Sequence, residues 1–280
     1  MIVALISDLF DDHAGPARLR DYLREARSHD AALALLPELP LNPWVPATEA
    51  VRDEDAELPG GPRQQTMSTA ARATGVGLVG GAIVKDPSTG RRYNTALVFG
   101  PDGALVASYR KLHLPEEPGF WETRHYEPGD ALPQVIELPA PSLRVGLQIC
   151  SDINRPQGSQ LLGALGVEVI LNPRATEAAT FARWRTVFIA NAMTSGAYVV
   201  SVNRPRAERG VPLGGPSFAV APTGDVLTET TDSLALVAVD RAVVAAARRA
   251  YPGYLATRSD LYAEGWKKIA ATRLPHEQPI

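Results

Sequence analysis

Cysteine is almost missing from this chain: 280 residues hold one, Cys150. That excludes an internal disulfide and any zinc or iron–sulfur centre built on several thiolates. The five histidines (His13, His29, His113, His125 and His276) show no HxxH or HExxH spacing, so no metal site is expected. Long hydrophobic runs are absent too, none approaching the roughly 18–20 residues of a membrane helix. The segment Met1–Ile6 has no basic flank and soon meets Asp8, Asp11 and Asp12, so it reads as a first strand and not as a signal peptide. Nor does one sign of charge dominate. With 28 basic and 31 acidic side chains the net charge is -3, which gives no field to attract nucleic acid or anionic lipid. These absences lead to an expectation of a soluble, cytoplasmic chain with neither a membrane nor a nucleic-acid partner.

What is present is ordinary globular material, 45% hydrophobic and 21% charged, with enough apolar surface for a sizeable core. The 24 prolines, against an average near 5%, predict many turns. A soft prior of about 150 residues per domain allows one large unit or two small ones. No repeat or low-complexity linker divides the chain, so residues 1–280 are read as one domain. Its tail, 251–280, carries Tyr254, Tyr262 and Trp266 and needs a surface, on its own domain or on a second subunit.

Short apolar runs alternate with stretches of helical period. Strands are expected at 2–9, 31–36, 76–84, 93–99, 104–109, 143–149, 167–171, 198–202, 217–221 and 234–239. Leu19, Tyr22, Leu23 and Ala26 form the stripe of a first helix, and further helices are expected at 63–74, 157–165, 177–195 and 241–250. Gly100-Pro101-Asp102-Gly103 marks a hairpin. Alternating strands and helices argue for an α/β fold with covered sheet faces, and the hairpin makes the sheet mixed.

One motif misleads. Gly75-Val76-Gly77-Leu78-Val79-Gly80 matches the dinucleotide pattern GxGxxG. That chemistry needs a strand before the glycines and a helix after them, so that pyrophosphate meets the helix N-terminus. Here the order is reversed, so the glycines read as a helix cap leading into a strand, and no cofactor is expected.

Three strand ends carry reactive groups. Leu33–Leu36 delivers Glu38 after Pro37, Leu105–Tyr109 delivers Arg110 and Lys111, and Val145–Ile149 delivers Cys150. In α/β folds the carboxyl ends of strands open onto the ligand crevice. A thiol with an ordinary value near 8.5 needs a base or a positive neighbour to become a nucleophile. A desolvated Glu38 would accept its proton, and Lys111 would supply fixed positive charge where an oxyanion develops.

With Leu36-Pro37-Glu38-Leu39, Tyr109-Arg110-Lys111-Leu112-His113-Leu114 and Leu147-Gln148-Ile149-Cys150-Ser151-Asp152, the chain resembles the nitrilase superfamily of carbon–nitrogen hydrolases. Asn172-Pro173-Arg174-Ala175 and Val202-Asn203-Arg204 match its later blocks, so the resemblance spans residues 1–240. It implies a four-layer α-β-β-α sandwich, a homodimer or larger homo-oligomer, and a cofactor-free Glu38–Lys111–Cys150 triad. It also implies that Glu122 assists the triad and that the Ser151 N–H shares the oxyanion hole with Lys111. Ser151 departs from the aromatic residue usual at that position, and Arg174 stands where many members carry a small residue.

The segment 115–130 resembles amidases that act on N-carbamoyl compounds, which favours a small amide or carbamoyl substrate over a nitrile. Arg174 and, more weakly, Arg155 are candidates to bind a substrate carboxylate, since a guanidinium suits bidentate pairing. Phe120 and Trp121 are candidate pocket walls, and Trp184 serves the pocket or the core. The alternatives are a nitrilase and a non-catalytic thiol-sensing or binding protein of the same fold.

Overall fold

The computed structural model describes residues 1–139 and 142–272. The first sheet is built from β1 (Ile2–Ile6), β2 (Ala31–Leu35), β3 (Ala56–Glu57), β4 (Gly77–Lys85), β5 (Arg92–Phe99) and β6 (Leu105–Arg110). A small hairpin follows, β7 (Glu116–Glu117) and β8 (Phe120–Trp121). The second sheet holds β9 (Ile136–Pro139), β10 (Ser142–Leu147), β11 (Val169–Arg174), β12 (Tyr198–Asn203), β13 (Ser217–Val220) and β14 (Val226–Thr230). The last strand, β15 (Leu234–Ala238), returns to the first sheet and pairs antiparallel with β1. The helices are α1 (Gly15–Ser28), α2 (Pro62–Thr74), α3 (Glu122–His125), α4 (Pro156–Ala164), α5 (Phe181–Ser195), α6 (Arg241–Arg249) and α7 (Ser259–Ala271).

Both sheets are mixed. The first runs β15-β1-β2-β4-β5-β6 and the second β14-β13-β12-β11-β10-β9. In each, parallel strands occupy the middle: β1, β2 and β4 in one, β10, β11 and β12 in the other. The expected hairpin joins β5 to β6 with Val98 opposite Ala107.

Strand period then sorts the side chains into layers. On β1, Val3 and Leu5 point into a core shared with Val145, Leu147, Leu171, Val200 and Val202 of the second sheet. The alternate residues Ala4 and Ile6 face Leu19 and Leu23 of α1 and Met67 of α2. The second sheet repeats this, with Ile170 and Val199 turned towards Leu162 of α4 and Phe188 of α5. Helix, sheet, sheet and helix are therefore stacked in four layers, as expected. Trp184 packs on Phe188 at 6.0 Å between ring centroids and belongs to this core.

The glycine-rich decoy has the expected order. Gly75 caps α2 in the left-handed region at φ 67°, where a side chain would be strained. Gly80 lies within β4, where a Cβ would sit 2.5 Å from Met67 Sδ, so its bareness lets α2 close on the sheet.

In the tail, helix α7 buries no residue, and Tyr254, Tyr262 and Trp266 are 63%, 67% and 50% exposed. Residues 273–280 of that tail lie outside the described residues. No helix among the described residues is long and apolar enough to cross a membrane.

Candidate active site

The crevice is set by where parallel strands end. Beyond β2 the chain turns at Pro37, and Glu38 is followed by Leu39 at φ 48°. Beyond β10, Cys150 itself has φ 46°. Left-handed backbone is costly for a side-chain-bearing residue, of order 1–3 kcal/mol, and persists only where the surroundings over-determine it. The two unusual turns flank the same buried cluster.

The cluster centres on Lys111, which follows β6. Its ammonium donates to Glu38 Oε1 at 2.8 Å and to both oxygens of Glu122 at 2.7 Å. All three side chains are fully buried in this protein. Asn94 on β5 donates to the same Glu38 oxygen at 2.7 Å, and Glu38 Oε2 has no hydrogen-bond partner among the described residues. Cys150 is within electrostatic reach of Glu38, Lys111 and Glu122, and its thiol donates weakly to the Ala175 carbonyl at 3.6 Å.

Burial dominates the protonation of this cluster. It pushes the Cys150 thiol well up, and the nearby Glu38 charge adds to that while Lys111 opposes it, so the resting group is a thiol. Burial alone would drive Lys111 down, but the Glu122 and Glu38 carboxylates outweigh it and keep the ammonium charged. Glu122 is pushed up to about 8 by burial, with Lys111 pulling it back and Glu38 adding to the rise.

The Glu38 turn is held by Arg204, which follows β12 and is wholly buried. Its guanidinium donates to the carbonyls of Glu38 at 2.8 Å and of Leu39 and Asn42 at 2.9 Å. Glu208 accepts two further bonds from it at 2.7 Å and also accepts the Trp44 N–H at 3.1 Å. The arginine thus satisfies carbonyls that an irregular, buried turn would otherwise leave orphaned.

The other candidates are distributed unevenly. Ser151 follows the nucleophile, with its hydroxyl donating to the His113 carbonyl at 2.5 Å. Phe120 packs edge-on against Trp44 at 5.7 Å, in an apolar cluster with Leu39 and Tyr126 beside the Glu38 turn. Trp121 is half-buried immediately before Glu122.

Arg174 needs correction, and Arg155 lies apart from the cluster. Arg174 is fully buried on the helix side of β11, donating to Ser201 Oγ at 2.9 Å, Thr176 Oγ1 at 2.6 Å and the Pro216 carbonyl. Phe181 and Phe188 face it at 5.7 and 5.5 Å, and burial pulls its ionisation down to about 9. Its donors serve the protein interior, so it is not presented to a substrate carboxylate. Arg155 is exposed where α4 begins, and among the described residues its side chain has no hydrogen-bond or ion-pair partner. It stays outside the buried cluster.

Sequence reasoning missed Asn94, Tyr126, Tyr109 and Asp152 as site residues. Tyr126 and Asp152 sit in stretches that carry the family resemblance, so a signal for them existed. Asn94 carried no such signal, since its strand also holds the polar residues Arg92 and Thr95. Among the described residues no cluster of His, Cys, Asp and Glu has the arrangement of a metal site.

A family model described as carbon-nitrogen hydrolase matches residues 4–249. The omega-amidase NIT2 of Homo sapiens is 31% identical over 277 residues, 96% of this chain and 97% of that protein. Among solved structures, a carbon-nitrogen hydrolase from Helicobacter pylori G27 superposes with a TM-score of 0.81 at 21% identity, covering 94% of this chain and 97% of that one. Nit3 of Saccharomyces cerevisiae, a member of branch 10 of the nitrilase superfamily, superposes with a TM-score of 0.77 at 24% identity, covering 92% and 96%.

Proposed function

The chain belongs to the carbon–nitrogen hydrolase family, and from that premise we propose that it hydrolyses a small linear amide or N-carbamoyl compound through a thioester on Cys150. The observation that carries this reading is a charge arrangement. The only thiol of the chain is buried within electrostatic reach of Glu38, Lys111 and Glu122, and one Glu38 oxygen has no partner among the described residues.

In the first step Cys150 Sγ attacks the carbonyl carbon while Glu38 Oε2 takes its proton. General-base removal in concert with attack suits a thiol that burial keeps neutral. The oxyanion is met by the Ser151 N–H and by Lys111. Among the described residues the hydrogen bonds of the Lys111 ammonium go to Glu38 and Glu122, so the oxyanion draws one ammonium proton away from Glu122. As the C–N bond breaks, the leaving ammonia or amine receives the proton held by Glu38. Water then attacks the thioester, Glu38 again takes a proton, and the acid departs as the thiol re-forms.

An amide is favoured over a nitrile because the human relative at 31% identity is an omega-amidase. Phe120 and Trp121 wall the acyl side of the pocket in this reading. The exposed aromatic tail supports a homodimer or larger homo-oligomer, with residues 1–280 as one domain whose tail covers a partner subunit. A lone cysteine kept as nucleophile suits a reducing compartment, and we place the enzyme in the cytoplasm.

The test supplies matched amides, N-carbamoyl amino acids and nitriles and measures ammonia. Release from amides or carbamoyl compounds that disappears in Cys150→Ala is the expected result. Consumption of nitriles alone makes the protein a nitrilase, and no turnover with unreactive Cys150 makes it a binding protein.

A further inference from the structure

Hydrogen bonds carry the buried cluster beyond Lys111 to Asn94 and Tyr126. Lys111 donates to Glu38 Oε1 and to Glu122. Tyr126 lies close enough to Glu122 to feel its charge, and Asn94 Nδ2 donates to the Tyr126 hydroxyl at 3.5 Å and to Glu38 Oε1 at 2.7 Å. Burial, with the Glu122 and Glu38 charges, pushes Tyr126 well up, so its hydroxyl remains a donor. The Asn94 amide thus links Glu38 to Tyr126.

We propose that Asn94 is a positioning residue that selects which oxygen of Glu38 acts as the base. Two donors, Lys111 and Asn94, converge on Oε1, and none among the described residues reaches Oε2. A hydrogen bond to a carboxylate oxygen withdraws charge from it and fixes the plane of the group. Oε1 is thereby occupied and oriented, and Oε2 is the oxygen left for a proton. If Asn94 did not hold Oε1, the carboxylate would be free to rotate about its last bond and turn both oxygens to the ammonium, as Glu122 already does. Glu38 would then be a second counter-ion of Lys111, not a base.

The placement of Asn94 is unusually firm. It is 2% exposed, and its own carbonyl accepts the Lys111 N–H at 2.9 Å, so one residue fixes Lys111 through its backbone and Glu38 through its side chain. The charged or titratable groups around Glu38 are Lys111 beyond β6, Glu122 and Tyr126 at the two ends of α3, Cys150 beyond β10, and Arg204 on its carbonyl.

This inference rests on Glu38 being the base of Cys150, and its test needs no substrate. Cys150 is the only cysteine, so iodoacetamide alkylation of the intact chain reads it alone. Alkylation rates are measured from pH 5 to 9 for the wild type, Asn94→Leu and Asn94→Gln, with thermal melting as the check on folding. The loss of one hydrogen bond to a charged group predicts about 10- to 100-fold slower alkylation of Asn94→Leu at pH 7. It also predicts a rise with pH that begins later than in the wild type, while Asn94→Gln, which keeps the amide, recovers part of the rate. If amides are turned over, kcat falls by a similar factor and KM changes by less than about threefold, since the lost interaction acts on proton transfer and not on binding.

A folded Asn94→Leu protein that alkylates within twofold of wild type with an unmoved pH curve overturns the proposal. Should Leu prevent folding, Asn94→Ala removes the same donor without crowding and is read by the same criteria. Absence of amide turnover in the wild type would count against the proposed function, and the alkylation result would still decide the role of Asn94.

Discussion

The Tyr109 hydroxyl donates to Asp152 Oδ2 at 2.9 Å, joining the strand that delivers Lys111 to the turn that delivers Cys150. Asp152 does more than this. Oδ2 also accepts the Ile149 N–H at 3.1 Å, and Oδ1 accepts the N–H groups of Leu112 at 3.1 Å and His113 at 2.9 Å. One buried carboxylate therefore sets the spacing of two sheets at the point where chemistry is proposed. Burial and the Asp152 charge push Tyr109 up, which keeps it a donor.

Asp152→Asn is expected to lower stability by about 2–3 kcal/mol, because an amide cannot accept all of these donors. kcat should fall more than KM rises, since the nucleophile and the ammonium lose their common anchor. Denaturant midpoints and steady-state kinetics check this, and an unchanged midpoint with full kcat would refute it.

A second expectation concerns alkaline pH. Glu122 is raised to about 8, chiefly by burial. Burial favours a proton on Glu122 and the Lys111 ammonium opposes it, so as pH rises through about 8 the negative charge beside Cys150 grows and makes loss of the thiol proton harder. kcat/KM should therefore decline above about pH 8, and a plateau extending to pH 9.5 would contradict the assignment.

The third concerns Arg174. Its donors bind Ser201, Thr176 and Pro216, with aromatic rings over the guanidinium. Arg174→Met should cost about 2–3 kcal/mol of stability and slow acidic and neutral amides by the same factor. A KM rise confined to acidic amides would instead return this arginine to substrate binding.

Much of the architecture is readable without coordinates. The stripe Leu19, Leu23, Ala26 and the alternation Val3, Ala4, Leu5, Ile6 specify a buried face for a helix and two buried faces for a strand. The weak elements escape such reading for the same reason. Strand β14 is a largely exposed edge with little apolar contrast, and β7 and β8 are too short to show a period. Arg174 misled because residue type announces a chemical capacity and says nothing about which side of β11 the side chain occupies.

By itself the sequence determined the alternation of strands and helices, which faces of them are apolar, and the fact that Glu38, Lys111 and Cys150 each follow an apolar run. These are local properties, since side-chain direction follows from backbone period. Only the tertiary structure decided that Lys111 meets a carboxylate 73 positions away, that Asn94 occupies one oxygen of that carboxylate, and that Arg174 turns inward. Those outcomes depend on strand pairing and on the competition of buried polar groups for partners, and neither is encoded within any short segment.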